Sequence, residues 1–238
     1  MPDLLSPKQL AEYLQLSQRT IYRLLDRGDL PGVKVGGQWR FRKATVDEWL
    51  DVNMQRLDVD SLRSFEDDLD TQGVSPPLVD LLTPANAMIV VPATKETGDR
   101  ASVVRAFVAQ IQFPEPVSPE LVAERVLERE QLCSTALSDG VALLHTPRSR
   151  PRVLASHDLL AVGRLQEPID FGAIDGSPTE TLILLLARSE RDQLALLAKL
   201  TRVCREHGFL AALRDARRAE DALALIRRTE VRLFAHVR

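Results

Sequence analysis

Glu128-Arg129-Glu130-Gln131-Leu132-Cys133-Ser134-Thr135-Ala136-Leu137-Ser138-Asp139-Gly140-Val141-Ala142-Leu143-Leu144-His145 is the stretch that decides how the larger part of this chain is read. Its front end closes an amphipathic helix predicted over 121–131, and its apolar end, Gly140 to Leu144, predicts a short buried strand. An arginine, a Ser-Thr pair and a histidine at the end of a strand are thereby gathered into one helix-loop-strand unit. These types suit phosphoryl chemistry. A neutral imidazole nitrogen is a nucleophile at pH 7, a guanidinium neutralises phosphoryl oxygens, and hydroxyls orient them. The alternative for His145 is a satisfied structural residue beside an apolar strand.

Working outward, Leu159–Gly163 predicts another strand and Thr181–Ala187 a strand buried on both faces. Gln193–His207 and Ala219–Arg227 carry helical periodicity. The fold class is therefore α+β or α/β, a mixed sheet flanked by helices. The sequence contains no G-x-x-x-x-G-K-S/T, G-x-G-x-x-G, G-x-S-x-G or H-E-x-x-H, so nucleotide hydrolysis, dinucleotide redox chemistry and common metalloprotease chemistry lose their usual handles. Cys133 and Cys204 lack partners at ligand spacing and are read as small buried hydrophobes. No metal and no cofactor is expected. His157, His207 and His236 have no supporting context. Arg148, Arg150 and Arg152 follow His145 at alternating spacing, either as an anion-holding cluster or as a solvated loop.

The beginning of the chain has a different pattern. Ser6-Pro7-Lys8-Gln9 predicts a capped helix start, and Ser17 caps a second helix that Gly28 ends. Val33-Lys34-Val35 and Gln38-Trp39-Arg40-Phe41 alternate around Gly36-Gly37, a hairpin signal, and Thr45–Met54 predicts a closing helix. Residues 17–43 hold seven Lys/Arg against Asp26 and Asp29. Residues 57–75 hold six acids against Arg63, and residues 76–238 balance at 21 of each sign. With 238 residues, 45% hydrophobic and 27% charged, the chain has enough apolar material for two packed domains. We divide it as residues 1–56, an acidic linker over 57–76, and residues 77–238. The acidic linker is placed to dock against the basic first segment. No apolar run reaches the ~18 residues of a membrane span and no leader pattern opens the chain, so no membrane association and a cytoplasmic location are expected.

Helix, turn, helix, hairpin and helix over residues 3–54 resemble the excisionase-type winged helix-turn-helix. The resemblance implies that the second helix enters the major groove of double-stranded DNA and that the hairpin wing lies along the backbone. Gln18, Arg19, Tyr22 and Arg23 are the candidates on the second helix for base edges. Lys34, Arg40 and Arg42 are the candidates on the wing for phosphate. One such module buries only ~600 to 1,000 Å² on DNA, so a homodimer is expected.

From Leu78 to Glu230 the chain resembles the fructose/mannitol-type enzyme IIA domain of the bacterial phosphoenolpyruvate:sugar phosphotransferase system, including its nitrogen-related branch. Leu81-Leu82-Thr83-Pro84, the stretch from Glu128 to His145, and Glu167-Pro168-Ile169-Asp170-Phe171-Gly172-Ala173-Ile174-Asp175-Gly176 carry the likeness. It implies that His145 accepts a phosphoryl group from the system's phosphocarrier protein, with Arg129, Ser134 and Thr135 around it. The family pattern has glycine where this chain has Ala136 and Ser138, proline where it has Leu144, and a second histidine where it has Gln193. The expected whole is a bacterial transcription regulator that senses phosphorylation, or an anion, at His145. The alternatives are a phosphohistidine phosphocarrier, and a degenerate carrier domain serving only in dimerisation or ligand binding.

Overall fold

The computed structural model describes residues 4–14, 16–53, 60, 62–63, 76–93, 99–147, 158–173 and 175–234. The expected linker falls almost wholly outside them, as do Arg148, Arg150, Arg152, His157, His236 and the Met54 end of the third helix.

The first segment contains β1 (Leu4–Leu5), α1 (Pro7–Leu14), α2 (Gln18–Asp26), β2 (Val33–Val35), β3 (Gln38–Arg42) and α3 (Lys43–Asn53). The capping box forms as the sequence predicts: Ser6 N donates to Gln9 Oε1 at 2.9 Å and Gln9 N to Ser6 Oγ at 3.3 Å. Ser17 Oγ accepts from Thr20 N at 3.1 Å at the start of α2. Gly36 and Gly37 both take positive φ, 58° and 76°, which closes the two-residue hairpin turn. Leu10, Leu14, Ile21, Leu24, Phe41, Val46 and Leu50 form the buried core. Sequence reading missed β1, since two residues are too few to show a period; it pairs with β3 and makes the sheet three-stranded, in the order β1-β3-β2.

The second segment begins with 3₁₀ turns at Leu78–Leu81 and Pro84–Asn86. It continues through β4 (Ile89–Val91), α4 (Arg100–Val108), α5 (Pro119–Glu130), β5 (Val141–His145), β6 (Leu159–Ile169), β7 (Thr179–Leu186), α6 (Glu190–Cys204), α7 (Phe209–Asp215) and α8 (Ala219–Phe234). The sheet order is β4-β6-β7-β5, parallel between β4 and β6 and between β5 and β7, antiparallel between β6 and β7. Along β5, Val141 and Leu143 join one apolar cluster with Leu194 and Leu197 of α6, while Ala142 and Leu144 join another with Phe107 of α4 and Val122 of α5. Helices thus cover both sheet faces, which is why β5 reads as a continuous apolar run instead of alternating.

β6 is longer than expected because Arg164, Gln166 and Glu167 end the apolar signal while the backbone continues as a strand. β4, α4 and α7 carried no recognised signal. The start of this segment is tied to its last helix: the buried Glu230 carboxylate accepts from Leu78 N at 2.6 Å and from Val79 N at 2.9 Å. Burial raises that carboxyl above the usual range, against the pull of the two N–H bonds.

On β6, a Cβ at Gly163 would lie 2.5 Å from the Phe107 ring. Gly163→Ala is therefore expected to lower stability by about 1 to 3 kcal/mol in urea unfolding, the usual range for overpacking. Combining it with Phe107→Leu should recover part of the loss; additive losses would show that the ring contact is not the cause.

Candidate functional site

On the first segment, α2 buries Thr20, Ile21, Leu24 and Leu25 and turns Gln18, Arg19 and Tyr22 to solvent as one ridge, at i, i+3 and i+4 spacing. Arg23 is half-buried and stands lower on that ridge. On the wing, cross-strand register puts Arg40 opposite Val33 and Gln38 opposite Val35. Arg40, with Arg42 two residues on, therefore lies on the face that carries these two valines, which are 59% and 58% exposed. Arg40 is held there by Nη2 donating to Gln38 Oε1 at 2.7 Å and Nη1 donating to Trp39 O at 2.9 Å. Lys34 is on the opposite face, its ammonium 5.0 Å from the centre of the Trp39 ring. The seven sequence candidates thus form an α2 ridge and an arginine face of the wing, with Lys34 set apart. The exposed valines had escaped sequence reading, because alternation alone assigns no side to a three-residue strand.

On the second segment, Ser118 caps α5 and Pro119 opens it. The helix ends in Arg129 and Glu130, both buried, and the side chain of Arg129 turns toward the end of β5. Arg129 Nε donates to His145 Nε2 at 3.1 Å, and Arg129 Nη1 donates to Cys133 O at 2.9 Å. His145 Nδ1 lies 2.9 Å from Leu143 O. A carbonyl only accepts, so the proton sits on Nδ1 and the lone pair on Nε2, where the guanidinium N–H meets it. His145 is 2% exposed and Arg129 1%. Burial, and after it the Arg129 charge, hold the imidazole pKa down to about 3, against the smaller opposing effect of Leu143 O. The arrangement provides a neutral imidazole with its lone pair aimed at a fixed cation.

Ser134 and Thr135 are engaged elsewhere. Thr135 Oγ1 donates to Glu130 Oε2 at 2.7 Å, and Thr135 N lies 3.0 Å from Glu130 Oε1. Ser134 Oγ donates to Phe171 O and accepts from Ala136 N at 3.1 Å. Burial raises the Glu130 carboxyl above its ordinary range even though the Thr135 bonds and Arg129 pull it down. The loop lies antiparallel along β5, with Leu137 N donating to Val141 O at 2.8 Å and Leu143 N to Thr135 O at 3.0 Å. The structure therefore brings Arg129 and His145 together and uses the two hydroxyls to pin the loop beside them. Glu130 was not singled out by sequence reading, although it adjoins Arg129.

The departures from the family pattern have clear geometry. Among the described residues the positive φ values in this loop belong to Asp139 (64°) and Gly140 (77°), so Ala136 and Ser138 stand where no glycine is needed. Gln193 Nε2 donates to Thr146 O at 2.8 Å, tying α6 to the residue after His145. Cys204 is buried as expected, its thiol pushed up to about 12 by desolvation, but Cys133, in the loop between α5 and β5, is only half-buried. His207 is exposed. Among the described residues, no group of three His, Cys, Asp or Glu is placed to hold a metal, and no helix is long and apolar enough to cross a membrane.

Because folding lowers the His145 pKa from 6.5 to about 3, the unfolded chain binds a proton that the folded one refuses. Stability is full above pH 6.5 and falls as pH drops toward 3, by up to about 1.4 kcal/mol per pH unit from this group. Urea unfolding between pH 7.5 and 5.5 is expected to show this slope, and His145→Gln to flatten it. An unchanged slope in the variant would assign the effect to other groups.

Residues 89–229, more than half of the chain, match the family described as phosphoenolpyruvate-dependent sugar phosphotransferase system, EIIA 2. Residues 4–53 match a helix-turn-helix domain family. A nitrogen regulatory protein of Bradyrhizobium diazoefficiens is 32% identical over 154 residues, covering 63% of this chain and 95% of that protein. One of Pseudomonas aeruginosa is 28% identical over 153 residues, covering 63% and 94%. Among solved structures, nitrogen regulatory protein IIA-Ntr from Neisseria meningitidis is similar in fold, with a TM-score of 0.53 and 24% identity over 62% of this chain and 97% of that one. The chain belongs to the EIIA 2 family of the phosphoenolpyruvate-dependent sugar phosphotransferase system, with a helix-turn-helix domain ahead of it.

Proposed function

We propose that this chain is a bacterial DNA-binding transcription regulator whose EIIA domain senses phosphorylation, or an anion, at His145. The observation that carries the proposal is the Arg129–His145 contact, occurring in one chain with an exposed Gln18, Arg19 and Tyr22 ridge. In the transfer, the Nε2 lone pair of His145 attacks the phosphorus carried by a donor phosphohistidine. The new N–P bond forms as the donor's N–P bond breaks, and the donor imidazole leaves with its electron pair. The Nδ1–H stays on Leu143 O throughout, and Arg129 swings from Nε2 onto the phosphoryl oxygens, where its charge is most useful. The donor is the system's phosphocarrier protein, and the reaction takes place in the cytoplasm. On DNA, the α2 ridge reads base edges, Arg40 and Arg42 hold phosphate, and a homodimer supplies the second half-site.

A second reading rests on the same geometry. Both ring nitrogens of His145 are already hydrogen-bonded and the ring is 2% exposed, which suits a carrier domain retained for dimerisation or ligand binding alone. Incubating the purified protein with phosphoenolpyruvate, the general phosphotransferase enzyme and the phosphocarrier protein separates the two. Acid-labile phosphate at His145, mapped by mass spectrometry, is expected; His145→Ala should abolish it, and Arg129→Ala should slow it by about 10²-fold. No labelling of the wild type, with DNA binding intact, would favour the second reading.

DNA binding has its own test. About five phosphate contacts predict a slope near −4 to −5 in log affinity against log salt, and Arg40→Ala, which removes a contact from each protomer of the homodimer, is expected to reduce it by about 2. A flat dependence would remove the regulator proposal.

A further inference from the structure

Beyond Arg164, β6 separates from β7. Arg164 pairs with Thr181 and Ile169 with Thr179, so the four residues from Leu165 to Pro168 stand opposite Glu180 alone. α7 lies over the opening, and the resulting cavity has a volume of about 510 Å³. That is within the ~300 to 1,000 Å³ common for small-molecule sites.

The charges around this cavity come in two pairs. Arg164 and Arg214 supply cations, Glu180 and Asp215 supply carboxylates, and Pro168 and Ala211 form apolar wall. Arg214 Nη1 is 3.8 Å from Glu180 Oε2, at the long limit of an ion pair, and both side chains are more than a third exposed. Such a pair contributes little and opens at small cost. A bare anion entering the cavity meets Glu180 and Asp215, and a bare cation meets two arginines. A molecule bearing ammonium and carboxylate on one carbon satisfies both pairs.

We propose that this cavity binds a free α-amino acid, its carboxylate on Arg164 and Arg214, its ammonium on Glu180 and Asp215, and its side chain over Pro168 and Ala211. The site is separate from the phosphoryl site. On β7, Glu180 at the cavity and Leu185 beside His145 are five residues apart, or about 17 Å. The proposal therefore does not depend on phosphorylation of His145.

Calorimetric titration of the full chain with L-leucine, L-alanine and L-glutamine tests it, with 4-methyl-2-oxopentanoate and 3-methylbutylamine as leucine analogues that lack the ammonium or the carboxylate. Saturable binding of at least one amino acid and of neither analogue is expected. Arg214→Ala and Glu180→Gln should each weaken it by about tenfold or more, the loss of a charge-assisted hydrogen bond. Both are partly exposed positions, and an unchanged melting temperature of each ligand-free variant will show that the fold is intact. Failure of all three amino acids to bind overturns the proposal. So does equal binding of either analogue, or undiminished binding by both variants.

Discussion

The hydrogen bond from His145 Nδ1–H to the Leu143 carbonyl settles the tautomer, and nearly everything distinctive about the second segment depends on it. With that proton fixed, Nε2 holds the only ring lone pair, and Arg129 can approach without electrostatic penalty because the imidazole is neutral. A protonated ring would place two cations 3 Å apart in a dry interior, a far costlier arrangement. With Nε on His145, Arg129 directs Nη1 to Cys133 O, which positions the loop that Glu130 and Phe171 then fasten. Tautomer, guanidinium and loop are one unit.

This unit explains how the chain tolerates changes at positions where its family has other residues. The left-handed turn required before β5 is supplied by Asp139 and Gly140, so Ala136 and Ser138 are accommodated in ordinary conformations. Leu144 is buried and continues the β5 pairing with Leu184 of β7. Gln193 anchors α6 to Thr146 O with an uncharged donor, so this contact does not vary with pH as an imidazole would. The chemistry near His145 is thereby left to its own ring, the permanent cation of Arg129 and the raised carboxyl of Glu130.

Much of this was legible in the sequence. Periodicity located α1, α2, α5, α6 and β7, Ser6 and Ser17 marked the starts of α1 and α2, and the family resemblance pointed to Arg129 and His145, whose contact only the structure shows. What was not legible has physical reasons. β1 and β4 have two and three residues, too few to show a period. β6 continues through polar residues because its outer end is solvated. The hydroxyl partners of Ser134 and Thr135 depend on Phe171 and Glu130, and a residue pattern along the chain cannot say which way a hydroxyl turns. The side of the wing on which Lys34 falls was likewise set by pairing register, not by composition.

The Glu230 carboxylate holding the two amides that follow Pro77 gives the carboxyl-terminal helix an unexpected duty. Lys199 Nζ, 3.5 Å from Pro76 O, reinforces the same junction from α6. The peptide from Pro76 to Val79 is thus moored by residues 123 to 152 positions later in the sequence. Closing so long a loop is entropically slow, so this mooring follows the sheet and helices between its two ends in folding.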